Sequence, residues 1–104
     1  MASSDQLKRR RNQYITAYNR ANTTADNIYQ ATKTISKMLS NTKACYVVND
    51  SDIGGSHLQG VYDTLVADYN YIVKTVLPQT KSIINYYTNA YYEQLRVEQE
   101  EKDG

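Results

Sequence analysis

The chain has 104 residues, a formal net charge of +1, one cysteine and one histidine. That length makes a single domain, the near-balanced charge argues against nucleic acid or acidic lipid as a partner, and one thiol with one imidazole excludes a zinc site within the chain. Apolar residues make up 40%, Phe and Trp are absent, and 11 tyrosines carry nearly all the large aromatic surface, so the chain is expected to complete its core against another chain.

The first helix is expected over about residues 4–42. Ser3 and Gln6 have the spacing of a capping box. Leu7, Tyr14, Ala21, Ile28 and Ile35 recur seven apart, and Tyr18, Ala25, Thr32 and Leu39 form a second seam position in which Arg11 is the polar exception. A strand cannot sustain that pattern. The seam is thin because Ala and Thr fill several of its places, and the polar face (Asn12, Asn19, Asn22, Thr23, Thr24, Asn27, Thr34) is built from mediocre helix formers. The helix therefore depends on packing. Asn22-Thr23-Thr24 and Asn49-Asp50-Ser51 match glycosylation sequons, which we read as chance in a chain with no secretory signal.

A bend is expected over about residues 43–56, where Asn49-Asp50-Ser51-Asp52-Ile53-Gly54-Gly55 has turn chemistry. Residues 44–48 (Ala-Cys-Tyr-Val-Val) fit either a helical extension or an extended flap. Ser56 with Gln59 suggests a second capping box, and a second helix is expected over about 57–100. Its seam would be Leu58, Leu65, Ile72, Gln79 and Tyr86, alternating with Tyr62, Tyr69, Val76, Ile83, Ala90 and Val97. That register runs on through Pro78, so the sequence predicts one kinked helix with Pro78 opposite Asn19–Ala21. The fold class expected is all-α: an antiparallel helical hairpin that completes its core by pairing with another helical chain.

Charge supports the hairpin. Residues 1–11 carry Lys8, Arg9, Arg10 and Arg11 against Asp5; residues 93–104 carry Glu93, Glu98, Glu100, Glu101 and Asp103 against Arg96 and Lys102. Each block sits at the helix end that its sign disfavours, and antiparallel packing would make the blocks neighbours. A nucleic-acid surface at Lys8–Arg11 is the sharper reading, and the lack of excess positive charge weighs against it.

The search for chemistry finds no catalytic, cofactor or metal site. Asp50, Asp52 and Gly55 imitate three positions of a calcium loop, but the twelfth position is Val61. Count alone leaves a Cys45/His57 pair open, yet nothing in the sequence activates the thiol. No run of about 18 apolar residues exists, so no membrane span is expected. Met1-Ala2-Ser3-Ser4-Asp5 lacks the apolar stretch of a cleavable signal. A cytoplasmic location is expected, or export by a route that reads no such signal. Tyr69, Tyr86, Tyr87, Tyr91 and Tyr92 are the candidate partner-binding residues, set on the outer face of the second helix.

Two long helices, a glycine-containing bend (Gly54, Gly55, Leu58, Gly60) and Leu58-Gln59-Gly60 in the place of a Trp-x-Gly motif together resemble the WXG100 superfamily. The closest likeness is to the small helical partners of LXG toxins in the type VII secretion system of Gram-positive bacteria. The chain departs from that pattern in lacking Trp and in carrying no Tyr-x-x-x-Asp/Glu after the second helix: Tyr87 leads to Tyr91, Tyr91 to Leu95 and Tyr92 to Arg96. The resemblance implies a non-enzymatic targeting chaperone, the signal-less member of a pair, bound to a toxin's helical domain or to a second small hairpin. The rival reading is a homodimeric four-helix structural or adaptor protein, of phage origin for example; a nucleic-acid-binding hairpin is third.

Overall fold

The computed structural model describes residues 2–45 and 50–103, with side chains described outside 42–55. Helix α1 spans Ser4–Cys45 and α2 spans Asp50–Tyr71; a five-residue π-helical turn, Ile72–Val76, leads into α3, Leu77–Asp103. The molecule is an all-helical antiparallel hairpin with no strand among the described residues. It measures 82 × 15 × 14 Å, with a radius of gyration of 22.9 Å, where a compact chain of this length would have about 13 Å. From Asp50 to Asp103 the second limb rises about 80 Å at 1.5 Å per residue, which is the whole length of the rod.

The start of α1 forms as its sequence dictates. Ser3 Oγ accepts the Gln6 N–H at 3.2 Å while Gln6 Oε1 accepts the Ser3 N–H at 3.0 Å, a reciprocal capping box that satisfies two otherwise orphaned donors. Along α1 every seam position from Leu7 to Leu39 is buried or half-buried, including Arg11. On the polar face, Thr24 and Thr34 donate their hydroxyls to the carbonyls of Arg20 and Gln30, so these side chains spend their hydrogen-bonding capacity inside the helix.

Two expectations are corrected by the second limb. The first concerns the bend. Gly54, Gly55, Leu58 and Gly60 all lie within α2, whose first residue is Asp50, and Ser56 is not a cap. The two limbs are joined through residues 46–49, which lie outside the described residues. Gly60 has helical surroundings with open space where a Cβ would stand. The glycine-rich stretch is helical because each Gly costs only about 1 kcal/mol in a helix, a cost that packing along α1 offsets.

The second correction concerns register. Up to the π turn the seam is as the heptads predict: Leu58, Tyr62, Leu65, Tyr69, Ile72 and Val76 are half-buried. Beyond it, Gln79, Ile83 and Tyr86 are exposed while Ala90 and Val97 stay half-buried, and Thr80, Ile84, Tyr87, Tyr91, Gln94 and Glu98 join the half-buried set. The cause is the π turn, in which the Leu77 N–H bonds to the Ile72 carbonyl, five residues back. A π turn absorbs one extra residue, so every later side chain is turned by about 100° relative to an unbroken α-helix. Its position immediately before Pro78 has a physical reason. Proline has no N–H to give and its ring collides with the carbonyl four residues earlier; a wider turn moves that carbonyl aside. Pro78 itself stays exposed. It lies midway in sequence between Tyr69 and Tyr87, whose ring partners Tyr29 and Tyr14 flank Ala21–Asn22 on α1, close to the Asn19–Ala21 opposition expected.

Candidate functional site

Two packed helices leave little room for an enclosed site, and the candidate functional surface is the seam with its two flanks. Among the described residues, Ala25 (2% exposed) is the one buried hydrophobic residue and Ser4 (8%) the one buried polar residue. Everything else in the seam is half in water.

The tyrosines divide into an inner and an outer set. Tyr87 stacks on Tyr14 across the hairpin, with ring centroids 5.7 Å apart and planes 14° from parallel. Tyr69 meets Tyr29 at 5.9 Å, and the Lys33 ammonium lies over the Tyr29 ring at 4.7 Å. Tyr91 lies under the Arg11 guanidinium at 5.2 Å. Tyr69, Tyr87 and Tyr91 are therefore contacts between the limbs; the sequence assigned Tyr69 both a seam position and a partner-binding role and set Tyr87 and Tyr91 on the outer face, and the one-residue insertion at the π turn is what brings Tyr87 and Tyr91 inward. Tyr86 and Tyr92 are on the outside, 66% and 60% exposed, as is Tyr71 at 61%. Two of these outer rings touch inner ones: Tyr86 sets its edge against Tyr87 at 5.1 Å, and Tyr92 packs on Tyr91 at 5.2 Å.

Helical periodicity sorts the remaining exposed apolar residues onto two sides of the ribbon. On one side, Ile15 and Tyr29 of α1 accompany Tyr92 and Leu95 of α3, all partly or mostly exposed; Ile15, Tyr18, Lys81, Ile84 and Asn85 line a groove there. On the other, Ile83 and Tyr86 are exposed, with the half-buried Ala90 and Val97 beside them. Ile83 and Tyr86 are residues an uninterrupted heptad would have placed in the seam. The one signal of their displacement in the sequence is Pro78.

The charged ends meet through a different chemistry from the one expected. Among the described residues both ion pairs are local to α3, from Arg96 to Glu93 and to Glu100. They hold the Glu93 carboxyl below its ordinary value and the Arg96 guanidinium above its own. Across the hairpin, Glu98 accepts hydrogen bonds from Ser4 at the start of α1. Arg11 turns to the Tyr91 ring, and its Nε is enclosed without a hydrogen-bond partner. Lys8, Arg9 and Arg10 are exposed, with Arg9 and Arg10 lining a shallow hollow shared with Gln6, Gln13 and Tyr87.

No group of three or more His, Cys, Asp or Glu side chains converges among the described residues, and no described helix is long and apolar enough to cross a membrane. No family model matches the chain, and searches of curated proteins and of solved structures find no match. Fold and surface define an elongated all-helical hairpin with apolar residues left open along both flanks.

Proposed function

We propose that this chain is a non-enzymatic partner protein that lays its hairpin against the helical domain of another protein. More specifically, we read it as the signal-less targeting partner of an LXG-type toxin exported by a type VII system. The carrying observation is the contrast, among the described residues, between one buried hydrophobic residue, Ala25, and the exposure of Ile15, Tyr29, Tyr92 and Leu95 along one side. Helices of a partner would remove that side from water and complete a bundle, with Tyr92 as the amphipathic anchor that such interfaces favour. The export assignment rests on the resemblance in length and two-helix architecture; Leu58-Gln59-Gly60, which lies inside α2, adds nothing positional to it.

A tagged pull-down from the source organism, with co-purifying chains identified by mass, tests the reading. Stoichiometric recovery of a larger protein with a helical N-terminal domain is expected, with recovery reduced by Tyr92→Ser combined with Leu95→Ser. Recovery of no other polypeptide would sink it.

A further inference from the structure

The second limb carries two apolar seams one residue apart, and the hairpin uses one of them. We propose that the π turn before Pro78 is a register selector. Pro78 holds α3 one residue out of its heptads, and without it α3 turns back to dock Ile83, Tyr86, Ala90 and Val97 on α1. This goes beyond the partner reading, because it needs no other polypeptide.

Three observations carry it. The first is spacing. Leu58, Tyr62, Leu65, Tyr69, Ile72 and Val76 are half-buried and advance by alternating steps of four and three. The alternation then calls for Gln79, Ile83, Tyr86, Ala90 and Val97. Instead the half-buried positions step by four from Val76 to Thr80 and again to Ile84, before Tyr87 and Tyr91 resume the alternation. The discrepancy is one residue, which is what a π turn inserts. The second is doubling of the sequence where the two seams compete. Ile83 adjoins Ile84 and Tyr86 adjoins Tyr87, so either register offers α1 the same two side chains. The third lies nearer the end of α3. The register in use sets Tyr91 beneath Arg11 and Glu98 on Ser4. The other would set Ala90 and Val97, now half-buried, in those places, exchanging polar contacts for apolar burial.

Pro78 decides between them. In an unbroken α-helix its missing N–H would leave the Lys74 carbonyl without its bond, and its ring would strike that oxygen. The turn is opened beside this point, where the Leu77 N–H bonds to the Ile72 carbonyl. With proline gone, nothing requires the rare π turn, and the continuous α-helix agrees with the heptads. The change carries Tyr86 inward and Tyr87 and Tyr91 outward. Pro78 therefore selects which tyrosines the hairpin leaves open to solvent.

Nuclear magnetic resonance of the full chain carrying Pro78→Ala tests the selector. In the parent, the Tyr14 ring contacts Tyr87, and the ring current of Tyr91 shifts the side-chain protons of Arg11. In Pro78→Ala the Tyr14 contact is expected to pass to Tyr86, and the Arg11 shift to disappear because Ala90 stands where Tyr91 stood. The Tyr29–Tyr69 contact precedes the π turn and should not change. Deleting Lys74 from the same variant removes the one residue by which the registers differ, and should restore both the Tyr14–Tyr87 contact and the Arg11 shift. A Tyr14–Tyr87 contact and an Arg11 shift that persist in Pro78→Ala would overturn the proposal. Loss of the Tyr14 contact to both Tyr86 and Tyr87 would overturn it equally, since α3 would then have no second seam to use.

Discussion

Glu98, one turn from the end of the second limb, caps the beginning of the first. Its carboxylate accepts the Ser4 backbone N–H at 3.1 Å and the Ser4 hydroxyl at 2.6 Å. A negative charge is thereby set against the positive end of the α1 dipole while two orphan donors are satisfied. The hairpin is tied at its open end by a helix cap shared between limbs.

That tie is pH-dependent. The Ser4 hydroxyl and N–H hold the Glu98 carboxyl below its ordinary value of 4.5, outweighing partial desolvation. A carboxylate whose folded-state pKa is depressed stabilises the fold above its unfolded value and loses that contribution as the pH falls through the folded value. Glu98→Gln should therefore lower the melting temperature near neutral pH, and the gap to the parent should close in acid. Thermal melts followed by circular dichroism at about pH 7 and about pH 2.5 check this. A gap that stays constant across the series would show that Glu98 does not act as a charged cap.

Gly60→Ala should stabilise the hairpin by up to about 1 kcal/mol, because the position is helical and the new methyl meets open space. Urea titration measures it. A loss of stability would mean that Gly60 is needed for a backbone conformation only glycine adopts, as a bend would require.

Tyr87→Ser and Tyr91→Ser should each destabilise the hairpin by about 1–3 kcal/mol, because they remove the stack on Tyr14 and the seat of Arg11. Tyr92→Ser, at a mostly exposed ring, should cost under about 0.5 kcal/mol. Denaturant midpoints of the three variants order them directly. Equal midpoints would contradict the inner and outer assignment.

Deleting Lys74 should convert the π turn into an α turn while leaving Ile84, Tyr87 and Tyr91 in the seam, since the insertion it removes is one residue long. In the parent background the deletion should be costly, because Pro78 then meets an ordinary helical turn, at about 3 kcal/mol. In a Pro78→Ala background it should cost much less. A double-mutant cycle measures the coupling; additive effects would show that the π turn and Pro78 are unrelated.

The legible and illegible parts of this chain separate at Ile72. Every heptad position of α1 and of α2 before the π turn reads correctly, because hydrophobic spacing is transmitted without error along an unbroken α-helix. Pro78 announces that something must yield, but not how; a kink preserves register and a π turn shifts it by one residue, and both are open to the same sequence. The glycines misled for a related reason. Gly54, Gly55 and Gly60 are permissive residues, and permission to bend is not a requirement to do so. The basic and acidic ends were rightly brought together, yet the pairing differs because Arg96 has closer acids at i−3 and i+4, and Arg11 occupies a seam position beside an aromatic ring. The outer tyrosines could not be told from the inner ones until the one-residue shift was known.

With Ala25 the one buried hydrophobic residue among the described residues, this rod has no centre. Each turn is held by the turn facing it, so opening at one end is scarcely felt at the other, and cohesion is a local quantity that varies along the length. A chain laid along either flank would act as a splint, coupling turns that otherwise fluctuate separately. Amide exchange would then slow in patches that trace where the splint lies, giving a footprint at the resolution of single helical turns.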